Sequence, residues 1–490
     1  MAAQVRQAKW VAMLREQSSV EEDVLAVLVA APLSDAVANP EPEPVDVSSA
    51  ALLKPLHTFL QGHEQPPAGP AAVRQLPAAL PDGNLTFPRG TLCSDGRLDL
   101  CKQVIGPDGI SDLMQSLRMD AASPSPLVQH LLLGNNIAGD ELAARIAGLI
   151  ERGESRLTTW YIAGNRLTAN GIAPLCRALA KDSPSQRIVR QLWLKRNPLR
   201  AAGALELGKL LLSNRHLLAL DLVCTAMLDE GVSNIAKALA EAKSPLQHLY
   251  LDGNGIRLAG CQALAALLRE PASALEGLGL GCNRVGDEGA KVLAAALPCN
   301  TRLGKLGLGS CGIGRAGADA LATALAANCA LRWLDLGFLK MTQALGEVRN
   351  GIGEAGARAL ARALATNTNC VALDVTGFND ASSATREQIR VALRRNFRNL
   401  DAAGKTAAHA VLFPPHLAEV ASVYRLGGEY RGDPEANASV WEASEEDERG
   451  QGADGRLAEA EEDEEGEGHD GKGQAPPMPR RQFSRSEADL

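Results

Sequence analysis

The stretch LEGLGLGCNRVGDEGAKVLAAAL, residues 275–297, decides the fold because it sets two periodicities side by side. Leu278 and Leu280, two residues apart, point to the same face of an extended strand. Leu293 and Leu297, four apart, share one face of a helix. The preceding stretch LQHLYLDGNGIRLAGCQALAALL, residues 246–268, repeats the pattern. Laid along the chain, the template L-x-x-L-x-L-x-x-N-x-I-x-x-x-G-x-x-x-L-x-x-x-L starts at Asp95, Val128, Leu157, Val189, Leu217, Leu246, Leu275, Leu303 and Leu331, with steps of 28 to 33 residues. A degenerate copy follows around Cys370.

Asn stands at the ninth place as Asn136, Asn165, Asn197, Asn254 and Asn283, where it is expected to bond the turning backbone and form a ladder down a stack. Cys311 takes that place once, and in the unit at Leu331 the Asn arrives eleven residues late, at Asn350. The intervening GFLKMTQALGEVRN is expected to bulge from the strand-to-helix side. Gly at the fifteenth place suits close packing in the early helix. One such unit cannot shield its own apolar face, so consecutive units must stack.

These units resemble the ribonuclease-inhibitor subfamily of leucine-rich repeats, also found in the sensor arrays of NOD-like receptors and in Ran GTPase-activating proteins. The resemblance covers roughly residues 91–400. It implies an α/β fold, a leucine-rich-repeat solenoid or horseshoe with a parallel β-sheet on the concave face and helices on the convex face. Around this body the reading expects a short N-terminal helical segment (1–31), a Pro-rich linker (32–90), a C-terminal cap (401–430) and a disordered acidic tail (431–490). The cap is read from helical stretches at Thr385 to Leu400 and Pro415 to Arg425.

Composition narrows the function classes. Net charge is -8, but residues 431–490 hold 18 acidic and 7 basic side chains, a net of 7 − 18 = −11, so residues 1–430 sum to +3. A nearly neutral body carries no nucleic-acid footprint. Val24 to Leu33 is too short to span a bilayer and follows acidic rather than basic residues, so a cytoplasmic protein without a membrane segment is expected, nuclear residence being the second choice. The ten cysteines form no C-x-x-C pair and read as small, buried, reduced residues; no metal or other cofactor is expected.

Catalytic look-alikes fall away on spacing. Gly307, Gly309 and Gly312 satisfy G-x-G-x-x-G but sit in the repeat frame. Gly404-Lys405-Thr406 resembles the end of a phosphate loop, yet Asn399 stands where its first glycine belongs. The useful side chains are then those facing outward from the concave strands, at template places three, five and seven. Tyr161, Trp193, Asp221 and Tyr250 form the centre of the candidate surface, with Lys195, Arg196, His248, Asp252, Trp333 and Asp335 around them. Two of four tyrosines and two of five tryptophans lie there, residue types that anchor protein interfaces. Trp160 instead occupies a core leucine place. The glycines of 277–281 and 307–309 are expected to leave a flat patch beside the aromatics. The reading is a non-enzymatic scaffold for a protein partner. The rival is a GTPase activator of the Ran type acting on a small GTPase, which also joins such repeats to an acidic tail. Ser484, behind Arg480 and Arg481, resembles a basophilic kinase site.

Overall fold

The computed structural model describes residues 47–61, 78–79, 84–117, 128–181, 186–339, 341, 344–376 and 381–424. The expected N-terminal helical segment, the acidic tail and Ser484 lie outside the described residues.

The described chain forms a 13-stranded sheet whose strands lie in chain order. Three short strands lead in antiparallel, β1 (Ala78–Ala79), β2 (Leu85–Thr86) and β3 (Thr91–Leu92), the last pairing with β4 (Arg97–Asp99). From β4 onward every neighbour is parallel: β5 (His130–Leu132), β6 (Thr159–Tyr161), β7 (Gln191–Trp193), β8 (Ala219–Asp221), β9 (His248–Tyr250), β10 (Gly277–Gly279), β11 (Lys305–Gly307), β12 (Trp333–Asp335) and β13 (Ala372–Asp374). Each begins at the third place of its template copy, including the degenerate copy at Cys370. The middle residue of each, such as Leu249, Leu278 and Leu306, is buried in one continuous core with the helix leucines.

Between the strands run α2 (Gly106–Ser116), α3 (Gly139–Glu151), α4 (Ala169–Ala180), α5 (Arg200–Ser213), α6 (Leu228–Ala242), α7 (Leu258–Arg269), α8 (Gly286–Ala294), α9 (Arg315–Ala327) and α10 (Gly353–Thr366), each packed on its neighbours in sequence. None of these carries its own side-chain N-cap. In several units the preceding repeat supplies one. Asp229 Oδ1 accepts from Arg257 N at 2.7 Å and from Gly260 N at 2.9 Å, at the start of the next helix. A Cβ on Gly260 would stand 2.7 Å from that same oxygen, which explains the glycine at the fifteenth place.

The Asn ladder holds as expected. Asn283 Oδ1 accepts from Asn254 N (2.8 Å) and Ile256 N (3.0 Å), while its Nδ2 donates to Leu251 O (3.0 Å) and Leu280 O (2.9 Å). The late Asn350 resumes the ladder, accepting from Cys311 N (3.0 Å) and Ile313 N (2.9 Å). A second ladder, absent from the sequence reading, lines the opposite loops. Asn300 takes Leu303 N at 2.7 Å and gives its amide to Leu268 O at 2.8 Å, and Asn214, Asn328 and Asn367 repeat the arrangement. The insertion does not bulge freely. Residues 344–351 turn back along the strand-to-helix loops of earlier units, with Leu345 bridged to Asn254 of the unit at Leu246, and Val348 and Gly351 bridged to Cys311 and Gly314 of the unit at Leu303.

The ends differ from the sequence reading. The stretch read as linker contains α1 (Ala50–Leu60), whose Leu53 and Leu56 are buried against α2, as well as strands β1 to β3. Its prolines hid it, since Pro55 removes only one helix bond and the apolar residues still share a face. The cap proper is α11 (Ser383–Asn399): Ser382 Oγ accepts from Thr385 N at 3.2 Å, and Ile389 and Leu393 close the core. Next, α12 (Ala402–Leu412) turns Gly404-Lys405-Thr406 into the first turn of a helix capped by Asp401. The stretch from Pro415 holds only α13 (Pro415–Ala418) and contacts the concave sheet, not the last repeat. Eight cysteines are buried thiols; Cys299 and Cys329 are exposed, against expectation, because they sit in loops outside the repeating core places.

Candidate functional site

The concave face is built from the strand residues on either side of each buried leucine. Pairing aligns Leu132, Tyr161, Trp193, Asp221, Tyr250, Gly279, Gly307, Asp335 and Asp374 in one row, and His130, Thr159, Gln191, Ala219, His248, Gly277, Lys305 and Trp333 in another. The expected site residues on the strands therefore lie where the template put them. Trp193 bridges its aromatic neighbours, with ring centroids 6.2 Å from Tyr161 and 5.8 Å from Tyr250, the latter pair stacked at 22°. Lys195 reaches back over the Tyr161 ring at 5.7 Å, and Lys305 stands over Trp333 at 3.5 Å. Arg196 sits off the face, in the left-handed turn after β7, and its N–H donates to Val223 O at 2.8 Å.

The aspartates have a backbone role that the sequence reading missed. Asp221, Asp335 and Asp374 each accept from the N–H two residues on, at 2.7 to 2.9 Å, as does Asp99 at 3.0 Å. Asp252 instead accepts from Gly281 N of the next unit at 2.7 Å. Burial pushes Asp252 up to about 7, helped by the nearby Asp221 and Asp335 charges, and burial with Asp374 beside it pushes Asp335 up to about 6. Burial also draws Lys305 down to about 8 and, with Lys305 beside it, His248 down to about 4. The Cys101 and Cys224 thiols are held far above their ordinary value by burial, so neither offers a nucleophile at neutral pH. The glycine patch is smaller than expected: a Cβ on Gly277 would meet the His248 ring, one on Gly279 the Asp252 carboxylate, and one on Gly281 the insertion's Leu339. Only at Gly307 does it lie open to ordinary contact.

The feature that sequence reasoning missed altogether is what covers this face. Tyr161 and Trp193 are each 5% exposed and Asp221 3%, because residues 414–424 lie across the sheet. His416 Nε2 is 2.8 Å from Tyr250 Oη, and its ring centroid is 4.1 Å from that of His248. Leu417 and Val420 pack with Leu132, Tyr161, Ala163, Trp193, Tyr250 and Cys101 in a second apolar cluster, separate from the main core. Glu419 accepts from Gln191 Nε2 and lies 3.5 Å from both Thr159 Oγ1 and His130 Nδ1. Arg97 donates to Ala421 O, Val423 N donates to Asp99 Oδ2 at 2.6 Å, and Tyr424 Oη is 2.8 Å from Thr91 Oγ1. The segment runs from β9 back to β3, against the order of the strands. The available signal was weak: two apolar residues three apart and one tyrosine, just before the acidic tail.

Strand and helix recurring through the array, with the Asn ladder at Asn136, Asn165, Asn197, Asn254, Asn283 and Asn350, define a leucine-rich-repeat solenoid. The Leucine Rich repeat family model matches residues 213–236, 242–265 and 275–294. Ribonuclease inhibitor of Sus scrofa is 34% identical over 200 residues, covering 41% of this chain and 42% of that protein. NACHT, LRR and PYD domains-containing protein 12 of Mus musculus is 27% identical over 248 residues, covering 49% of this chain and 23% of that one, and protein 5 of the same series from Bos taurus is 28% identical over 202 residues, covering 41% and 17%. The repeats of this chain are leucine-rich repeats of the ribonuclease-inhibitor type. The chain spans less than half the length of these relatives. Among the described residues no helix is long and apolar enough to cross a membrane.

Proposed function

We propose that this chain is a non-enzymatic interaction scaffold whose concave sheet captures a protein partner through Tyr161, Trp193, Asp221 and Tyr250, with Lys195, His248, Asp252, Trp333 and Asp335 at the rim. The observation that carries this is the face's fitness for polypeptide: its aromatic row already buries two apolar side chains of a peptide segment and pairs a third side chain through Tyr250. Rigid aromatics set in a fully paired parallel sheet bind with little loss of side-chain entropy. The raised aspartates do not require a catalytic reading, because burial and backbone capping account for them. Repeats of the same type in ribonuclease inhibitor support a scaffold.

Trp193→Ala with Tyr250→Ala is expected to cut the set of proteins cross-linked to the chain in cells about tenfold or more, the loss typical of removing two hot spots, while the circular dichroism spectrum stays unchanged. Undiminished cross-linking would reject the site. The rival reading, activation of a Ran-type GTPase, is tested by adding the chain to such a GTPase loaded with GTP. Phosphate release is expected to stay at the intrinsic rate, and an acceleration of about a hundredfold or more, toward that of a true activator, would overturn the non-enzymatic reading.

A further inference from the structure

We propose that residues 414–424 are an autoinhibitory strap, a built-in peptide ligand of the concave face. An external partner must displace them, using a segment of the same chemistry: two apolar side chains three residues apart with a carboxylate between. The proposal rests on the reading of the concave face as the binding surface and adds how that surface is kept closed and what it reads.

Three observations carry it. First, the strap is held by side chains. The backbone–backbone bonds described for 414–424 are local, from Leu417 N to Pro414 O, Glu419 N to Pro415 O, Val420 N to Leu417 O and Ala421 N to Ala418 O. The strands beneath are already paired on both sides, so leaving costs the sheet no ladder bond. Second, the tether is lightly anchored. In α12 only Ala408 is buried, and near its end Val411 lies over Gly304, just before β11. A segment with few buried groups belongs to the low-stability end of a fold. Third, the strap occupies the aromatic row rather than avoiding it. Leu417 and Val420 take the apolar ground beside Trp193, and Glu419 lies between them toward Gln191, Thr159 and His130.

Asp99 also shows how the aspartate row reads a backbone. Its Oδ1 is committed to Cys101 N, and its Oδ2 receives Val423 N of the strap. Asp335 and Asp374 present the same geometry further along, each with Oδ1 tied to its own strand end. An extended peptide on this face therefore meets carboxylate acceptors for its N–H groups in place of an open strand edge.

The test titrates a fluorescein-labelled peptide of residues 411–424, VLFPPHLAEVASVY, into the full chain. In the wild type the tethered copy competes at an effective concentration on the order of millimolar, so the peptide is expected to bind poorly. Leu417→Asp with Val420→Asp should tighten peptide binding about tenfold or more, since each change unseats the tethered copy without touching the sheet. Adding Trp193→Ala to that variant should abolish the gain. Glu419→Lys, a milder change, should give a smaller gain in the same direction. Equal peptide affinity for wild type and both strap variants, or no binding to variants whose melting temperature is unchanged, overturns the strap. This readout needs no cellular partner, so its failure is separable from failure of the cross-linking experiment.

Discussion

Asn283→Ala is expected to destabilise the solenoid by about 3–5 kcal/mol, because it orphans two buried backbone N–H groups and strips one donor from each of two buried carbonyls, which keep only Asn254 Nδ2 and Cys311 Sγ. The side chain accepts from Asn254 N and Ile256 N and donates to Leu251 O and Leu280 O, and it is fully buried. Alanine fits the space but supplies none of these bonds, and water reaches the site only by opening the loop. The next unit shows what partial compensation looks like. Cys311 occupies the equivalent place, with its Sγ donating to Leu280 O at 3.0 Å. Asn283→Cys should therefore cost about half as much as Asn283→Ala, a sulfur making weaker versions of some of the bonds. In urea, followed by circular dichroism, the alanine variant should unfold at a much lower midpoint. Its transition should also broaden, since a break in the middle of a one-dimensional stack uncouples the two halves. A loss below about 1 kcal/mol would mean that the ladder is not what joins neighbouring loops.

The features that were legible in the sequence are those that repeat. A leucine pair two apart and an Asn five residues after the first of them recur often enough to place every parallel strand from Arg97 to Asp374 in register, and Asn350 could be recognised as a displaced ladder residue because the frame predicted one. The concave rows followed from that register alone. What escaped was single-copy or spread between units. The Asp229 cap serves a helix 28 residues further on, a pairing that no local capping rule finds. The second Asn ladder sits five residues before each strand start at Asn214, Asn300, Asn328 and Asn367, but Ser155, Ser244 and Ser273 stand in related places in other units and blurred the pattern. The strap has no period at all. Its partners lie from about 160 to over 300 residues earlier in the chain, and its four-residue helix is too short to announce itself. A pattern can mark a face as facing outward, but only the full chain shows that something already lies on it.

Acidification should loosen the strap, and the sign follows from the histidines beneath it. Burial, with His248 and Lys305 adding positive charge nearby, draws His416 down to about 3, and His248 is drawn down to about 4. A histidine whose value is depressed in the closed form favours that form above its ordinary pKa and loses that stability as pH falls below it. The window therefore opens near pH 6.5 and extends toward pH 4. At pH 5 an unburied imidazole is almost wholly protonated, so keeping His416 neutral costs the closed form about 2 kcal/mol, roughly thirtyfold in the open population. His248 adds in the same direction. The other groups on the strap path modify this without reversing it. Lys305 keeps its charge between pH 7 and 5 and repels both imidazoliums. His130 is also lowered by burial, opposed by Glu419 and Asp95 and assisted by Arg97. Asp99 is raised by burial, opposed by bonds from Cys101, Ser422 and Val423, and its protonation on the closed face works against the histidines. Acrylamide quenching of Trp193, taken as the difference from a Trp193→Phe chain, should rise between pH 7 and 5, with the repeats still folded by circular dichroism. His416→Phe keeps a ring on Trp193 and removes the proton site, and it should flatten most of that rise. A pH-independent Trp193 signal in the wild type, or an undiminished rise in His416→Phe, would place the control of the strap elsewhere than in these two adjoining imidazoles.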